Sequence, residues 1–321
     1  MICPAASAVD CQHTNRRKKM SKDLTRHNLY LVSDVHSYYG ALIRALSVSG
    51  FFDDENGKLV LLGDALDRGD KPMELIDFLL DLKEQDRLIY IRGNHEELLK
   101  DMMHSMANGS FATNSFSYIA EGTFDTAISL ANSYYDEDEG KHKYYSEELR
   151  FNHDTAQTNS DELVRRIMES RYYRELHSSA IDYYETSDYV FCHGWIPVHV
   201  TRDGDHDTYR YRDTWRDADY SEWKRARWIN GMSACVKDGI TVEGKTVICG
   251  HYYTGWGHFF LHGSASRLTE PFVDKGIIAI DAGMSPSDTD ETKRIYCVVI
   301  STDGTATFDQ KVIHIPEGNE T

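Results

Sequence analysis

The chain has little of what a disulfide-stapled, membrane-spanning or nucleic-acid-coating protein needs. Its six cysteines, Cys3, Cys11, Cys192, Cys235, Cys249 and Cys297, show neither CxxC spacing nor a compact framework. Three of them lie in apolar, strand-like runs, so reduced and buried thiols are expected rather than a disulfide scaffold. No apolar run reaches the roughly 18 residues that a membrane span requires. Positive charge is scarce: 35 Lys and Arg stand against 52 Asp and Glu, a net −17. Such a surface repels phosphate backbones and anionic lipid, which excludes large nucleic acids and membranes as partners and leaves small nucleotides open. A secretory signal is not expected either, because the weakly apolar ICPAASAV precedes the basic cluster Arg16 to Lys19 instead of following it. A cytoplasmic protein is expected, with residues 1–25 as a disordered tail and Met20 as an alternative start to Met1.

At 321 residues and 40% hydrophobic, the chain can bury a large core. Three short segments stand out: SDVHSYYG at 33–40, GDALDRG at 63–69 and RGNHE at 92–96. They place Asp34, Asp64 and Asn94 thirty residues apart, about the length of one strand-helix-strand unit. The chain therefore returns three times to one sheet edge, each time carrying a metal-type ligand.

The intervening pattern agrees. LYLVSD (29–34), KLVLLGD (58–64) and RLIYIRG (87–93) read as apolar strands ending in polar loops. The helical spacing at 38–50 and the run PMELIDFLLDLKEQ (72–85), with Pro72 near its start, read as the helices between them. Alternating strands and helices predict an α/β layered fold with its chemistry in loops beyond the carboxyl ends of the strands. Strand signals return in SDYVFCHG (187–194), KTVICGH (245–251), GIIAIDAG (276–283) and RIYCVVIS (294–301). Between the two groups, about 108–186, the sequence turns polar, with helices expected near 121–132 and 160–177 and an acidic run from Asp136 to Glu139. This segment reads either as a helical cap over the site or as a solvated decoration. If it is a cap, the acidic run would repel polyanionic substrates. Residues 26–321 otherwise read as one domain.

The residues can be assigned one by one. Asp34 and His36 lie two apart on a segment read as extended, so both side chains should grip one ion. Asp64 has two oxygens and can bridge two ions. Asn94 offers a carbonyl oxygen, while His193 (FCHGW) and His251 (CGHYYTG) offer imidazole nitrogens. The natural division puts Asp34, His36 and Asp64 on one metal and Asp64, Asn94, His193 and His251 on the other. This mixed oxygen and imidazole set suits manganese first, with iron or zinc as alternatives. Water between two such cations becomes a nucleophile, and Arg68 helps to hold the phosphoryl oxygens. His95 is placed to protonate the leaving oxygen, Asp67 to orient its imidazole, and Arg92 to support the site electrostatically.

These residues resemble the calcineurin-like metallophosphoesterases, and within them the phosphoprotein phosphatase branch, bacterial type, whose signature is GDxHG, GDxxDRG, GNHE, a later HG and a later H. The resemblance covers about 29–100 and 188–300. It implies a four-layer αββα sandwich of two mixed sheets flanked by helices, two divalent metals, and attack by a metal-activated hydroxide without a covalent intermediate. It also implies a second phosphate-binding arginine between the last two histidines, for which Arg225 and Arg227 are candidates and Arg227 is preferred; Asn94 would join Arg68 in contacting the phosphate.

The departures carry information. Ser33 and Ser37 replace the two glycines around Asp34 and His36, removing no ligand. Tyr253 stands where phosphodiesterases carry a second histidine, which favours a phosphatase. The five tryptophans, all between Trp195 and Trp256, fit either a substrate pocket or ordinary core, and His258 and His262 read as surface or supporting groups. The expected activity is hydrolysis of phosphomonoesters, on phosphorylated protein or small molecules. Hydrolysis of dinucleoside polyphosphates is the alternative, and an inactive metal-binding scaffold comes third.

Overall fold

A computed structural model describes residues 27–203, 206–264, 266–283 and 287–316. The tail expected at 1–25 lies outside them. The first third runs β1 (Leu29–Val32), α1 (Tyr39–Val48), β2 (Lys58–Leu61), α2 (Pro72–Glu84), β3 (Leu88–Tyr90) and α3 (Asn94–Ala107). The middle holds α4 (Phe111–Ala120), α5 (Thr123–Ala131), β4 (Ser133–Asp136), β5 (Lys141–Tyr144), α6 (His153–Thr158) and α7 (Ser160–Glu169). The remainder is β6 (Tyr184–Glu185), β7 (Tyr189–Phe191), β8 (His199–Asp203), β9 (His206–Arg210), α8 (Tyr220–Ala226), β10 (Thr246–Tyr253), α9 (Thr254–Phe260), β11 (Phe272–Asp274), β12 (Ile277–Asp281), β13 (Val298–Ile300), β14 (Ala306–Phe308) and β15 (Lys311–Val312).

The strands form two principal sheets, ordered β15-β14-β13-β1-β2-β3 and β11-β12-β10-β7-β6. β1, β2 and β3 are parallel, as are β7, β10 and β12, while β13 and β11 run antiparallel to their neighbours. Within each parallel set the carboxyl ends thus lie on one side, where loops are free to carry chemistry.

Alternation along the strands builds the layers. Leu29 and Leu31 of β1 pack with Val60, Phe191, Ile248, Ile278 and Val298 from both sheets, forming the middle of the sandwich. Tyr30 and Val32 face the other way, into a core shared with Leu42, Leu46, Leu75, Leu79 and Leu99 on α1 to α3. On the second sheet, Val190, Cys192, Val247 and Cys249 turn outward to Trp195, Trp215 and Trp223. The result is the four-layer αββα sandwich. The four cysteines among the described residues are free and buried, and no helix there is long and apolar enough to cross a membrane.

The middle segment differs from a purely helical cap. Phe124, Ala127 and Leu130 of α5 and Leu163 and Ile167 of α7 belong to the same core as α1 to α3, so much of the segment is a continuous extension of the helical layer. It also contains the β4-β5 hairpin. The acidic run forms its turn: Asp136 and Glu139 pair with Lys143 at 2.7 and 2.5 Å, and Glu139 reaches Lys141 at 3.0 Å. His142 anchors the hairpin to α2 through the Asp77 carboxylate, which accepts from its backbone N–H at 3.0 Å. Three tryptophans, Trp195, Trp215 and Trp223, are buried core residues.

Candidate active site

The loops after β1 and β2 and the irregular end of β10 share an uncommon backbone. Asp34, His36 and Ser37 have φ of 52°, 50° and 61°, Asp64, Asp67 and Arg68 have 54°, 77° and 67°, and His251 has 68°. This corrects the extended reading of Asp34 to His36. The chain turns through the left-handed region there, which costs a non-glycine residue free energy that the surrounding contacts must offset. At His251 the cause is visible: the pairing of β10 with β12 loses register between Cys249 and Tyr253, and such an irregularity re-aims a side chain.

The fastener of the loops after β2 and β3 is Glu96, two residues past Asn94. Its carboxylate accepts from the backbone N–H of Gly93 at 2.6 Å, Asp64 at 3.1 Å and Ala65 at 3.0 Å, and from the Tyr90 hydroxyl at 2.7 Å. Four donors on one buried carboxylate fix the ends of β2 and β3 to the first turn of α3. Sequence reading quoted Glu96 within RGNHE but gave it no role.

With the loops held, the side chains converge on Asp64. Its Oδ2 lies 3.4 Å from Nε2 of His193, 3.8 Å from Nε2 of His95 and 3.9 Å from Nε2 of His36. Its Oδ1 accepts from the His95 backbone N–H at 3.0 Å. His36 and His193 each donate from Nδ1 to a backbone carbonyl, Leu66 at 3.0 Å and Leu62 at 2.6 Å. That fixes the tautomer with the lone pair on Nε2, turned inward, as metal-binding imidazoles require. Asn94 Oδ1 sits 2.7 Å from Nε2 of His193. Two groups have donor atoms mutually within 4.8 Å: His36, Asp64 and His95, and Asp64, His193 and His251. The second matches the expected division. In the first, His95 stands where Asp34 was expected, because Asp34 Oδ2 turns to the Ser33 hydroxyl and to the His251 backbone N–H at 3.0 Å.

The electrostatics show what the cluster favours. Burial, followed by the nearby Asp281 carboxylate, pushes Asp34 up to about 7. Burial also drives the pKa of His36 well below its ordinary value and that of His251 down to about 3. Burial works in the same direction at His193, but the Asp64 carboxylate outweighs it and holds the group at about 10. Carboxylates and imidazoles buried and packed this tightly are poorly satisfied by protons alone. A bound cation inverts that logic, favouring ionised acid and neutral imidazole together. The residues present fit divalent transition metals.

Beside the cluster lies the proton-handling pair. His95 donates from Nδ1 to Asp67 Oδ2 at 2.7 Å, and the same oxygen accepts from Thr123 Oγ1 at 2.7 Å. Burial opposes protonation of His95, yet Asp64 and Asp67 raise its pKa to about 9. Arg68 donates from Nη1 to Nε2 of His36 at 3.0 Å and from Nη2 to Glu121. A cavity of about 400 Å³ opens over these groups, lined by Asp34, His36, Asp64, Arg68, Asn94 and His95, and further by Glu121, Trp228, His251, Tyr252, Tyr253, Asp281, Gly283 and Lys293.

Two expectations change. Arg227, preferred as the second phosphate clamp, is 2% exposed and does not line this cavity. Its guanidinium lies 3.2 Å from Glu97 and against Asp182, because it caps the C-terminus of α8 on the side facing α3. Arg225 is exposed and does not line the cavity either. The acidic run from Asp136 to Glu139 contributes nothing to the lining; the middle segment supplies Glu121 instead. Arg92 donates to the Ala180 carbonyl at 3.0 Å. His258 is held by the Glu270 carbonyl at 3.2 Å and His262 by Asp274 at 2.6 Å.

Sequence reading missed Asp281, Lys293 and Glu121. Asp281 was within reach: an acid closing an apolar strand, IIAID, repeats the pattern of LYLVSD and KLVLLGD. Lys293 is buried and donates to the Gly283 carbonyl at 2.6 Å, and nothing local marks it.

The family model described as calcineurin-like phosphoesterase matches residues 27–255. A Caenorhabditis elegans protein provisionally named a serine/threonine-protein phosphatase is 35% identical over 68 residues, which is 21% of this chain and 18% of that protein. The chain thus spans under a fifth of that relative's length. Among solved structures, a cold-active protein tyrosine phosphatase aligns with a TM-score of 0.44 and 15% identity, covering 88% of this chain and 78% of that one. A Saccharomyces cerevisiae protein serine/threonine phosphatase aligns with a TM-score of 0.40 and 12% identity, covering 92% and 82%.

Proposed function

The chain belongs to the calcineurin-like phosphoesterases, metal-dependent hydrolases of phosphoric esters, and from that premise we propose that it is a phosphomonoesterase of the phosphoprotein phosphatase branch. The observation that carries this reading is the His95 and Asp67 pair, whose free Nε2 opens on the same cavity as Arg68. Such a pair suits a leaving group that must be protonated as it departs. The intact GDALDRG and RGNHE segments and Tyr253 in place of a second histidine support the same branch.

Asp34, His36, Asp64, Asn94, His193 and His251 would hold two divalent ions. When bound there, these supply positive charge toward the phosphoryl oxygens and make a water acidic enough to serve as nucleophile. The chain's own residues do the rest. Arg68 would turn its guanidinium to the phosphoryl oxygens and orient them, with the Asn94 amide beside it. His95 would give the proton on Nε2 to the leaving oxygen. Asp67 keeps the other proton on Nδ1 and, with Thr123 holding the same carboxylate oxygen, fixes the ring plane. Trp228, Tyr252 and Tyr253 on the cavity wall would meet the organic part of the ester.

Comparing phosphopeptides, p-nitrophenyl phosphate and diadenosine tetraphosphate on the purified protein with Mn²⁺ tests the reading. Phosphopeptides and small monoesters should be the better substrates. Preference for the dinucleotide would move the assignment to dinucleoside polyphosphate hydrolysis, and no activity on any of them would leave only a metal-binding scaffold.

A further inference from the structure

The middle segment reaches the cavity at one point, the start of α5, and all three residues there meet groups already described. Thr123 Oγ1 donates to the Asp67 carboxylate at 2.7 Å. Gly122 packs so closely on the next loop that a Cβ there would lie 2.6 Å from the Arg68 backbone nitrogen. Glu121 accepts from Nη2 of Arg68, and its Oε2 lies 3.7 Å from Nε2 of His95. A carboxylate oxygen therefore stands between the guanidinium and the imidazole that the proposed chemistry assigns to a phosphoryl oxygen and a leaving oxygen.

We propose that Glu121 is a specificity-determining residue, a resident carboxylate that competes with phosphoryl oxygens for Arg68 and so selects against polyanionic esters. The inference rests on the phosphomonoesterase reading for its consequence, though not for its first test. A phosphoryl group reaching Arg68 must share the guanidinium with Glu121 or displace it. Either way, the negative charge of Glu121 remains beside the cavity. For a monoester with a neutral or cationic neighbour the penalty is a single repulsion, and a lysine or arginine next to the phosphoryl group would gain a partner in Glu121. For a polyphosphate the repulsion grows with each additional anionic group near the rim. Residues 136–139 of the acidic hairpin do not line the cavity and Glu121 does, which makes this one side chain, rather than the net charge of the surface, the filter. The length of Glu121 also matters: its carboxylate reaches both Arg68 and His95 from a backbone held by Thr123 and Gly122, so a shorter acid at this position would reach neither in the same way.

Glu121→Gln keeps the shape and removes the charge. The first measurement is calorimetric binding of inorganic phosphate to the Mn²⁺-loaded protein, which needs no turnover. Because Glu121 is partly exposed, the effect is that of a solvent-screened pair, and phosphate should bind roughly two- to tenfold tighter in the variant, with the gain shrinking as salt rises. Glu121→Asp should give an intermediate affinity. The second measurement is kcat/KM on diadenosine tetraphosphate relative to p-nitrophenyl phosphate, which should rise in Glu121→Gln. Phosphate binding equally well to the wild type and the variant at low salt overturns the proposal, whatever the activities. Tighter phosphate binding without any phosphatase activity in either protein keeps the resident carboxylate and overturns the phosphomonoesterase reading instead. Tighter phosphate binding with an unchanged substrate ratio keeps the competition and overturns the selectivity.

Discussion

Nδ1 of His95 and Oδ2 of Asp67 lie 2.7 Å apart across 28 residues of chain, both nearly fully buried. The bond leaves Nε2 as the only nitrogen of that ring able to serve a substrate. His95→Asn should therefore lower kcat by roughly 10²- to 10⁴-fold while leaving the metal content unchanged. Asp67→Asn should lose less, since Thr123 and the packing still hold the ring. Alkyl phosphates should suffer far more than p-nitrophenyl phosphate, whose leaving group needs little protonation. Steady-state kinetics on the two esters check this, and equal losses would remove His95 from the proton-donating role.

Asp64 faces three imidazole nitrogens at 3.4 to 3.9 Å, so it is the residue whose loss should disturb both metal groups at once. Elemental analysis should find close to two transition-metal ions per chain in the wild type. Asp64→Asn, which keeps the size but halves the ligand capacity, should bind fewer and lose nearly all activity. His251→Asn should affect one ion only. A fully active protein after exhaustive chelation would overturn the arrangement.

Much of this site was legible because its chemistry demands particular residue types in contiguous loops, and strand-helix-strand spacing returns those loops to one edge. Asp34, Asp64 and His193 fall on loops just past strand ends, Asn94 opens α3 and His251 lies near the end of β10. What failed depended on direction rather than identity. Arg225 and Arg227 are two residues apart at the end of a short helix, about 200° apart around its axis, so only the packing of α8 decides which enters the core. It is Arg227, and it meets Glu97 and Asp182 there instead of a phosphate. The β4-β5 hairpin was hidden by its acidic turn, although Gly140 at φ 64° with Tyr-Tyr pairs on either side was a turn signal. Glu121 carries no signal at all, because its role arises where a loop 53 residues downstream meets Arg68.

His177 provides a pH test outside the reacting groups. It is buried, donates from Nε2 to the Glu96 carbonyl at 3.1 Å and stacks on Tyr173 at 4.8 Å. Burial, followed by the Arg92 charge, lowers its pKa to about 4, against about 6.5 in an unfolded chain. The unfolded state therefore binds the proton first as pH falls. Stability contributed by neutral His177 is complete above pH 6.5 and declines toward pH 4, by about 2 kcal/mol between pH 6.5 and 5. Urea midpoints at pH 7 and 5 should separate less in His177→Gln, which keeps a donor for Glu96 without titrating. An equal separation in both proteins would mean that other groups set the acid sensitivity.

Gly250 shows how tightly the first and last ligand loops are pressed together. A Cβ at this position would stand 1.6 Å from Ser33 Oγ, 2.7 Å from Ser33 Cβ and 2.5 Å from Asp34 Oδ2. The serine hydroxyl in question donates to Asp34, and the next residue, His251, donates its backbone N–H to the same carboxylate oxygen. Gly250→Ala must therefore push Ser33 aside and drag Asp34 with it, an overpacking that should cost about 1–3 kcal/mol and weaken metal retention. Ser33→Gly removes two of the three clashing atoms, so the double variant should recover part of the lost stability, a coupling that a double-mutant cycle measures directly. Residues this far apart in sequence should be additive unless they touch. If denaturation midpoints show the two substitutions to be independent, Ser33 and Gly250 do not pack as described, and the left-handed turn at Asp34 must be held by its other contacts, the Gly63 carbonyl that accepts from Asp34 N–H at 3.3 Å and the Asp64 carbonyl that accepts from His36 N–H at 3.0 Å.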